Sequence, residues 1–147
     1  MNRKLTEYIS VNERLEIYGE IRTRNERECG KNKLCVYVFA KEVYIPAEEA
    51  PDEDVTMLDG FVARPPIVRQ TPLGKTICDV IVAVNCPYQK SYYIPCIFWG
   101  SSAEMVGKLT VGSQIILRGR LQSREYEKDG KIHTTYEVSA WKYGKEI

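Results

Sequence analysis

Arg118, Arg120, Arg124 and Tyr126 fall at even positions of one alternating stretch, opposite Ile115, Leu117, Gly119 and Leu121. A period of two is that of a β-strand. Three guanidinium groups and a phenol ring on one face suit anionic groups and flat rings, and that face offers no nucleophile. His133, the single histidine, has no Ser, Cys or carboxylate partner at motif spacing. No glycine-rich phosphate loop exists, and Asp79 sits mid-strand, where a structural acid is expected. The five cysteines, at 29, 35, 78, 86 and 96, are odd in number and form no C-x-x-C pair. With one histidine they do not have the spacing of a zinc site, so neither metal nor cofactor is expected. Cys78 and Cys96 read as small core residues in a reduced compartment. Enzyme chemistry is therefore the weakest reading of the chain.

A hairpin must position these side chains. Asp129-Gly130, between Lys128 and Lys131, supplies the two positive-φ residues of a two-residue turn. A second strand follows, with Tyr136, Val138 and Ala140 expected on the same core as Leu117. The pattern recurs 100 residues earlier without a gap: Val11, Gly19, Ile21, Arg24, Gly30, Lys31, Val38 and Ala40 match Val111, Gly119, Leu121, Arg124, Gly130, Lys131, Val138 and Ala140. We read this as a duplicated hairpin.

A chain of 147 residues is one domain, or one domain with an appendage. No apolar run is long enough to span a membrane, and the start, MNRKLTEYIS, lacks the apolar core of a signal peptide, so a cytoplasmic location is expected. From Met1 to Val55 there are nine Lys/Arg against twelve Asp/Glu, and from Thr56 to Ile147 twelve against eight. The C-terminal part is thus the candidate for an anionic partner. Ten Tyr and two Trp against three Phe favour wet binding surfaces over dry core.

In chain order, Met1–Tyr8 reads as a frayed or short helical lead-in, and Leu15–Tyr44 as the first hairpin, turning at Cys29–Asn32. Ile45–Val55, with two prolines and five acids, cannot bury enough apolar surface to order itself and reads as a linker. Met57–Arg64 is a strand with Gly60 at a barrel corner, ended by Pro65 and Pro66. Thr71–Gly74 is a type I turn into the strand Lys75–Asn85, which is apolar on nearly both faces. A loop, Cys86–Lys90, leads to the strand Tyr92–Trp99, where Pro95 demands an edge or bulge. Ser101…Glu104 reads as a capping box and Gly107 as a helix stop. Five strands with one short helix between the third and fourth give an all-β, Greek-key OB-fold barrel. The extra N-terminal hairpin adds half of another. The expected divisions are a partial OB segment at 1–45, a linker at 46–55 and the complete OB domain at 56–143.

The stretch TPLGKTICDVIVAVNCPYQKSYYIPCIFWGSSAEMVGKLTVGSQIILRGRLQSREY resembles bacterial single-stranded DNA-binding proteins, in particular a tandem-OB form of Gram-positive anaerobes with the first domain truncated here. The resemblance runs from about Leu58 to Trp141, with AVN-x-P-Y-x-K-S-x-YIPCI-x-WG and GR-x-QSREY its most specific parts. It implies stacking of bases on Tyr88, Tyr93, Trp99 and Tyr126. Phosphate contacts would come from the interleaved Arg69, Lys75, Lys90, Arg118, Arg120 and Arg124. Other readings of these residues stand beside it. Trp99 shares its strand parity with Pro95 and Ile97 and also suits a core; the strand-four arginines and Tyr126 also suit a solvated face; Arg69 and Lys75 flank a turn.

The departures are as informative. Arginines usual in the family are replaced by Cys86 and Ser101, and Tyr92 stands where an acid or amide is usual, so weakened phosphate contact is expected. The flexible tail with an acidic tip is not seen, so recruitment of repair proteins is not expected. The N-terminal copy keeps strands four and five only, with Glu16, Tyr18 and Glu20 where the C-terminal copy has Ile116, Arg118 and Arg120. It reads either as an element that packs on protein or as a truncation.

The resulting expectation is non-catalytic, largely sequence-independent binding of single-stranded DNA in replication, recombination or repair, at the nucleoid, by a homo-dimer or tetramer. RNA remains an alternative partner, since stacking does not read the sugar. The competing reading is an OB-fold assembly module with vestigial DNA affinity.

Overall fold

The computed structural model describes residues 8–28, 30–86 and 90–144. The Met1–Tyr8 lead-in, apart from Tyr8, lies outside them, as do Cys29 of the first turn and the centre of the Cys86–Lys90 loop. Among these residues the strands are β1 (Glu16–Glu28), β2 (Lys31–Tyr44), β3 (Thr56–Val62), β4 (Ile67–Gln70), β5 (Thr76–Cys86), β6 (Lys90–Trp99), β7 (Gln114–Lys128) and β8 (Lys131–Gly144), and the helix between β6 and β7 is α1 (Gly100–Val106). β3 to β8 form a sheet in the order β3-β7-β8-β6-β5-β4, and β3 also pairs with β5, which closes the barrel. This is the OB-fold read from the sequence.

Alternation places the core. Cys78, Val80 and Val82 of β5 meet Ile94, Cys96 and Phe98 of β6, Ile115 and Leu117 of β7, and Val138 and Ala140 of β8, all buried. Ala103 and Val106 of α1 join the same cluster. Pro95 pairs in register with Ile81. Its parity is that of Tyr93, whose N–H points away from β5, so the amide proline lacks falls on a side where β8 has not yet joined β6.

Four local readings are corrected. The first barrel strand stops at Val62 and not at Arg64, and beyond Pro65 and Pro66, which cannot sit inside a ladder, the chain resumes as an unforeseen strand, β4, paired with β5 from Ile67↔Asp79 to Gln70↔Thr76. Gly60 answers to close approach, because a Cβ there would run into the Ala83 carbonyl oxygen where β3 crosses β5. The capping box does not form, since β6 runs directly into α1, Trp99 takes the N-cap position and no side chain caps the helix. Gly107 does end the helix as its C-cap, but in a right-handed conformation, and its missing Cβ leaves room for Val68. Tyr136 is exposed and not in the core. β8 pairs with β6 only over Cys96–Phe98, so the β7–β8 hairpin leaves the barrel as an arm before it reaches its turn at Asp129 and Gly130.

The duplication survives in three dimensions. Gly19 pairs with Ala40 beside a bulge at Tyr18/Gly19, and Gly119 pairs with Ala140 beside a bulge at Arg118/Gly119. At each bulge the facing carbonyl oxygen, of Phe39 or Ser139, occupies the place of a Cβ, which is why both positions are glycine. The coverage differs. Leu117 and Val138 are 1% and 0% exposed inside the barrel, whereas their counterparts Ile17 and Val38 are 49% and 43% exposed.

Hairpin β1–β2 docks on the barrel through β1. Thr23 Oγ1 accepts the Tyr93 N–H at 3.1 Å, capping the open edge of β6. Ile21 packs against the core cluster. The Arg22 guanidinium lies 3.7 Å from the Phe39 ring centroid and 5.7 Å from that of Tyr92. The acidic segment that follows forms no strand, and its backbone is gathered by polar contacts where apolar burial cannot do it. Arg14 donates to the Glu48 and Ala50 carbonyls at 3.2 and 2.6 Å and to Asp52 Oδ1 at 3.0 Å. Asp54 Oδ1 accepts the Leu121 N–H at 3.1 Å.

Candidate nucleic-acid interface

Odd-numbered residues of β6 point away from the core cluster, and of these Ile97 is buried while Tyr93 and Trp99 are exposed. Tyr93 and Trp99 lie six residues apart on that face, about 20 Å along the strand, and both rings are exposed, Trp99 by 41%. Between them Ile97 is in register with Asp79 of β5 and Ser139 of β8, and Ser139 with Arg120 of β7. The row Asp79–Ile97–Ser139–Arg120 thus crosses the platform. Ser139 Oγ accepts the Trp99 indole N–H at 3.1 Å, and Ile77, nearly fully buried, is the partner of Trp99 on β5. The indole thus stands beside the buried Ile77 and still keeps part of its ring exposed.

The cations divide into two groups. Arg69 Nε meets Asp79 Oδ2 at 2.6 Å, and this hydrogen bond raises the guanidinium pKa above its ordinary value against the opposing effect of burial. Arg124 Nε meets the buried Glu137 at 3.2 Å, and Gln122 donates to the same carboxylate at 3.1 Å. Arg120, Lys75 and Lys90 are exposed and have no ion pair among the described residues.

The structure therefore brings Tyr93, Trp99, Arg120 and the acid-paired Arg69 and Arg124 to one face. It sets the others apart. Lys75 sits at the β4–β5 turn, where its N–H bonds Thr71 Oγ1, and Lys90 opens β6. Arg118 faces β3, its guanidinium 3.7 Å from Met57 Sδ. Tyr126 lies out on the arm, stacked on His133 with centroids 5.4 Å apart at 22°. Tyr88 lies outside the described residues. Ser139, Glu137 and Thr23 were missed. The first two alternate with Val138 and Ala140, so their outward face was legible; their partners were not. No group of three or more metal-ligating side chains is found among the described residues, and no helix among them is long and apolar enough to cross a membrane.

The single-stranded DNA-binding protein of Fusobacterium nucleatum is 34% identical over 96 residues, which cover 59% of this chain and 62% of that protein. Single-stranded DNA-binding protein 2 of Streptococcus agalactiae is 37% identical over 93 residues, 58% of this chain and 70% of that one. The crystal structure of the wild-type single-stranded DNA binding protein from Thermus aquaticus superimposes with a TM-score of 0.74 at 22% identity, over 90% of this chain and 59% of that one. At that identity it speaks for the fold alone. The chain thus spans about three fifths of the length of the Fusobacterium and Thermus proteins. The profile of the Single-strand binding protein family matches residues 54–144, which take in the whole barrel and leave hairpin β1–β2 outside. On that match the chain belongs to the Single-strand binding protein family.

Proposed function

We propose that the chain binds single-stranded DNA without strong sequence preference and without catalysis, in replication, recombination or repair. Stacking falls to Tyr93 and Trp99, with Tyr88 and Tyr126 extending the path; phosphates meet Arg120, Lys75 and Lys90, then Arg118, and Arg69 and Arg124 where their acids release them. The observation that carries the reading is Trp99. Its one polar atom is already bonded to Ser139, which leaves a fixed, open π-face beside Arg120. Stacking on such a ring contributes roughly 1 to 3 kcal/mol per base and tolerates any base. Titration with oligo-dT at low salt should quench Trp99 and Trp141 fluorescence; no quenching at high micromolar concentration sinks the reading. An equal response to oligo-rU would extend it to RNA.

A second reading has its own support: Asp79 and Glu137 neutralise two of the platform arginines, as suits an assembly module with residual DNA affinity. The salt dependence of dT binding separates the two, since counterion release is steep only where phosphates are met. The partly uncovered apolar side chains Ile17 and Val38 of β1–β2 support association into oligomers in the cytoplasm. Light scattering on the whole chain and on residues from Asp54 onward tests that.

A further inference from the structure

A groove of about 710 Å³ separates the tips of the two hairpins. One wall is the arm, with Tyr126, His133, Lys128 and Lys131; the other is the start of β2, with Lys33 and Leu34. Asp129 is the one acid in the lining. Volume of this order accommodates a small organic ligand. His133 covers one face of Tyr126, which leaves the other for a flat partner, and Tyr126 is exposed. Lys33, Lys128 and Lys131 have no ion pair among the described residues. Hairpin β1–β2 is acidic at its base, with Glu16, Glu20 and Glu42, but from Arg22 to Leu34 it holds five Lys/Arg against two Glu. That polarity qualifies the reading of the N-terminal copy as an acidic protein contact, because the end beside Tyr126 is basic.

We propose that the tip of β1–β2, outside the family-matched segment, forms a second wall of the single-strand path. A base stacks on the open face of Tyr126, and its flanking phosphates lie between Lys33 on one hairpin and Lys128 and Lys131 on the other. The inference rests on the single-strand reading above and extends it to a part of the chain that the barrel does not need for closure.

The test uses the full chain with Lys33→Glu, and Lys33→Ala as a milder companion, titrated with a dT oligomer long enough to leave the barrel and with a short one that covers the platform only. Lys33 is exposed, so both variants should keep the wild-type melting temperature. Expected is several-fold weaker binding of the long oligomer by Lys33→Glu, a salt slope lower by about 0.7, and unchanged binding of the short one. Wild-type affinity and slope for the long oligomer, or equal weakening for both lengths, would overturn the proposal while leaving the platform intact. If the wild-type chain binds neither oligomer, the single-strand reading itself has failed.

Discussion

The indole N–H of Trp99 donates to Ser139 Oγ across the three-residue parallel ladder between β6 and β8. Orientation of the platform ring thus depends on a strand that contributes no aromatic group to it. Trp99→Ala should weaken dT binding by about 5- to 150-fold, the equivalent of roughly 1 to 3 kcal/mol, and lower the melting temperature because Ile77 loses its neighbour. Ser139→Ala, which frees the ring without removing it, should cost less affinity and shift the tryptophan emission. Equal affinity for Trp99→Ala and wild type would remove Trp99 from the site.

Glu137 is buried against Arg124 and Gln122, so the acid holds a cation that the sequence assigned to phosphate. Glu137→Gln keeps an acceptor for Gln122 but removes the charge. Arg124 is then free to meet DNA, and the salt slope of dT binding should steepen by about 0.7. An unchanged slope would place Arg124 outside the phosphate path.

Thr23 is a polar link between hairpin β1–β2 and the barrel. Thr23→Val leaves the Tyr93 amide without its acceptor, at a cost of about 1 to 3 kcal/mol. Hydrogen exchange at Tyr93 should quicken and the acidic segment around Ala50 should become protease-sensitive, while Thr23→Ser restores both.

Burial pushes the Cys96 thiol far above its ordinary range, with a smaller push from Glu137. The folded chain therefore holds this proton more tightly than the unfolded one. Its contribution to stability is complete below the unfolded value of about 8.5 and is lost as pH rises through the folded value. Cys96→Val should flatten the alkaline limb of a melting-temperature profile above about pH 9 relative to wild type. Iodoacetamide at pH 8 should leave Cys96 of the native chain unmodified.

Much of this was legible because it is local. Strand parity in Ile115–Tyr126 and the Asp129-Gly130 turn depend on residues a few places apart, the match of Gly19 to Gly119 is such a local pattern repeated 100 residues on, and all reappear in the register. Tyr136 kept the right parity yet lies outside the core, because parity gives a face and says nothing about where a neighbouring strand ends. Ser101…Glu104 fitted a cap by spacing, but the preceding strand starts the helix two residues early. Asp79 with Arg69, Glu137 with Arg124 and Thr23 with Tyr93 are pairings made by the fold across 10, 13 and 70 residues, which no alternation rule reaches.

The long ladders, β1–β2, β5–β6 and β7–β8, join strands adjacent in sequence, whereas β3 meets β5 over two residue pairs and β6 meets β8 over three. The cylinder is thus built on two long hairpins, β5–β6 and β7–β8, with β3 laid along β7 over six residue pairs and two brief seams that close it. Local contacts form first and distant ones last, so closure of these seams is the late event of folding. It should also be the first to reverse, so amide exchange at the seam residues Phe61 and Ile97 is expected to be faster than within the β5–β6 and β7–β8 ladders.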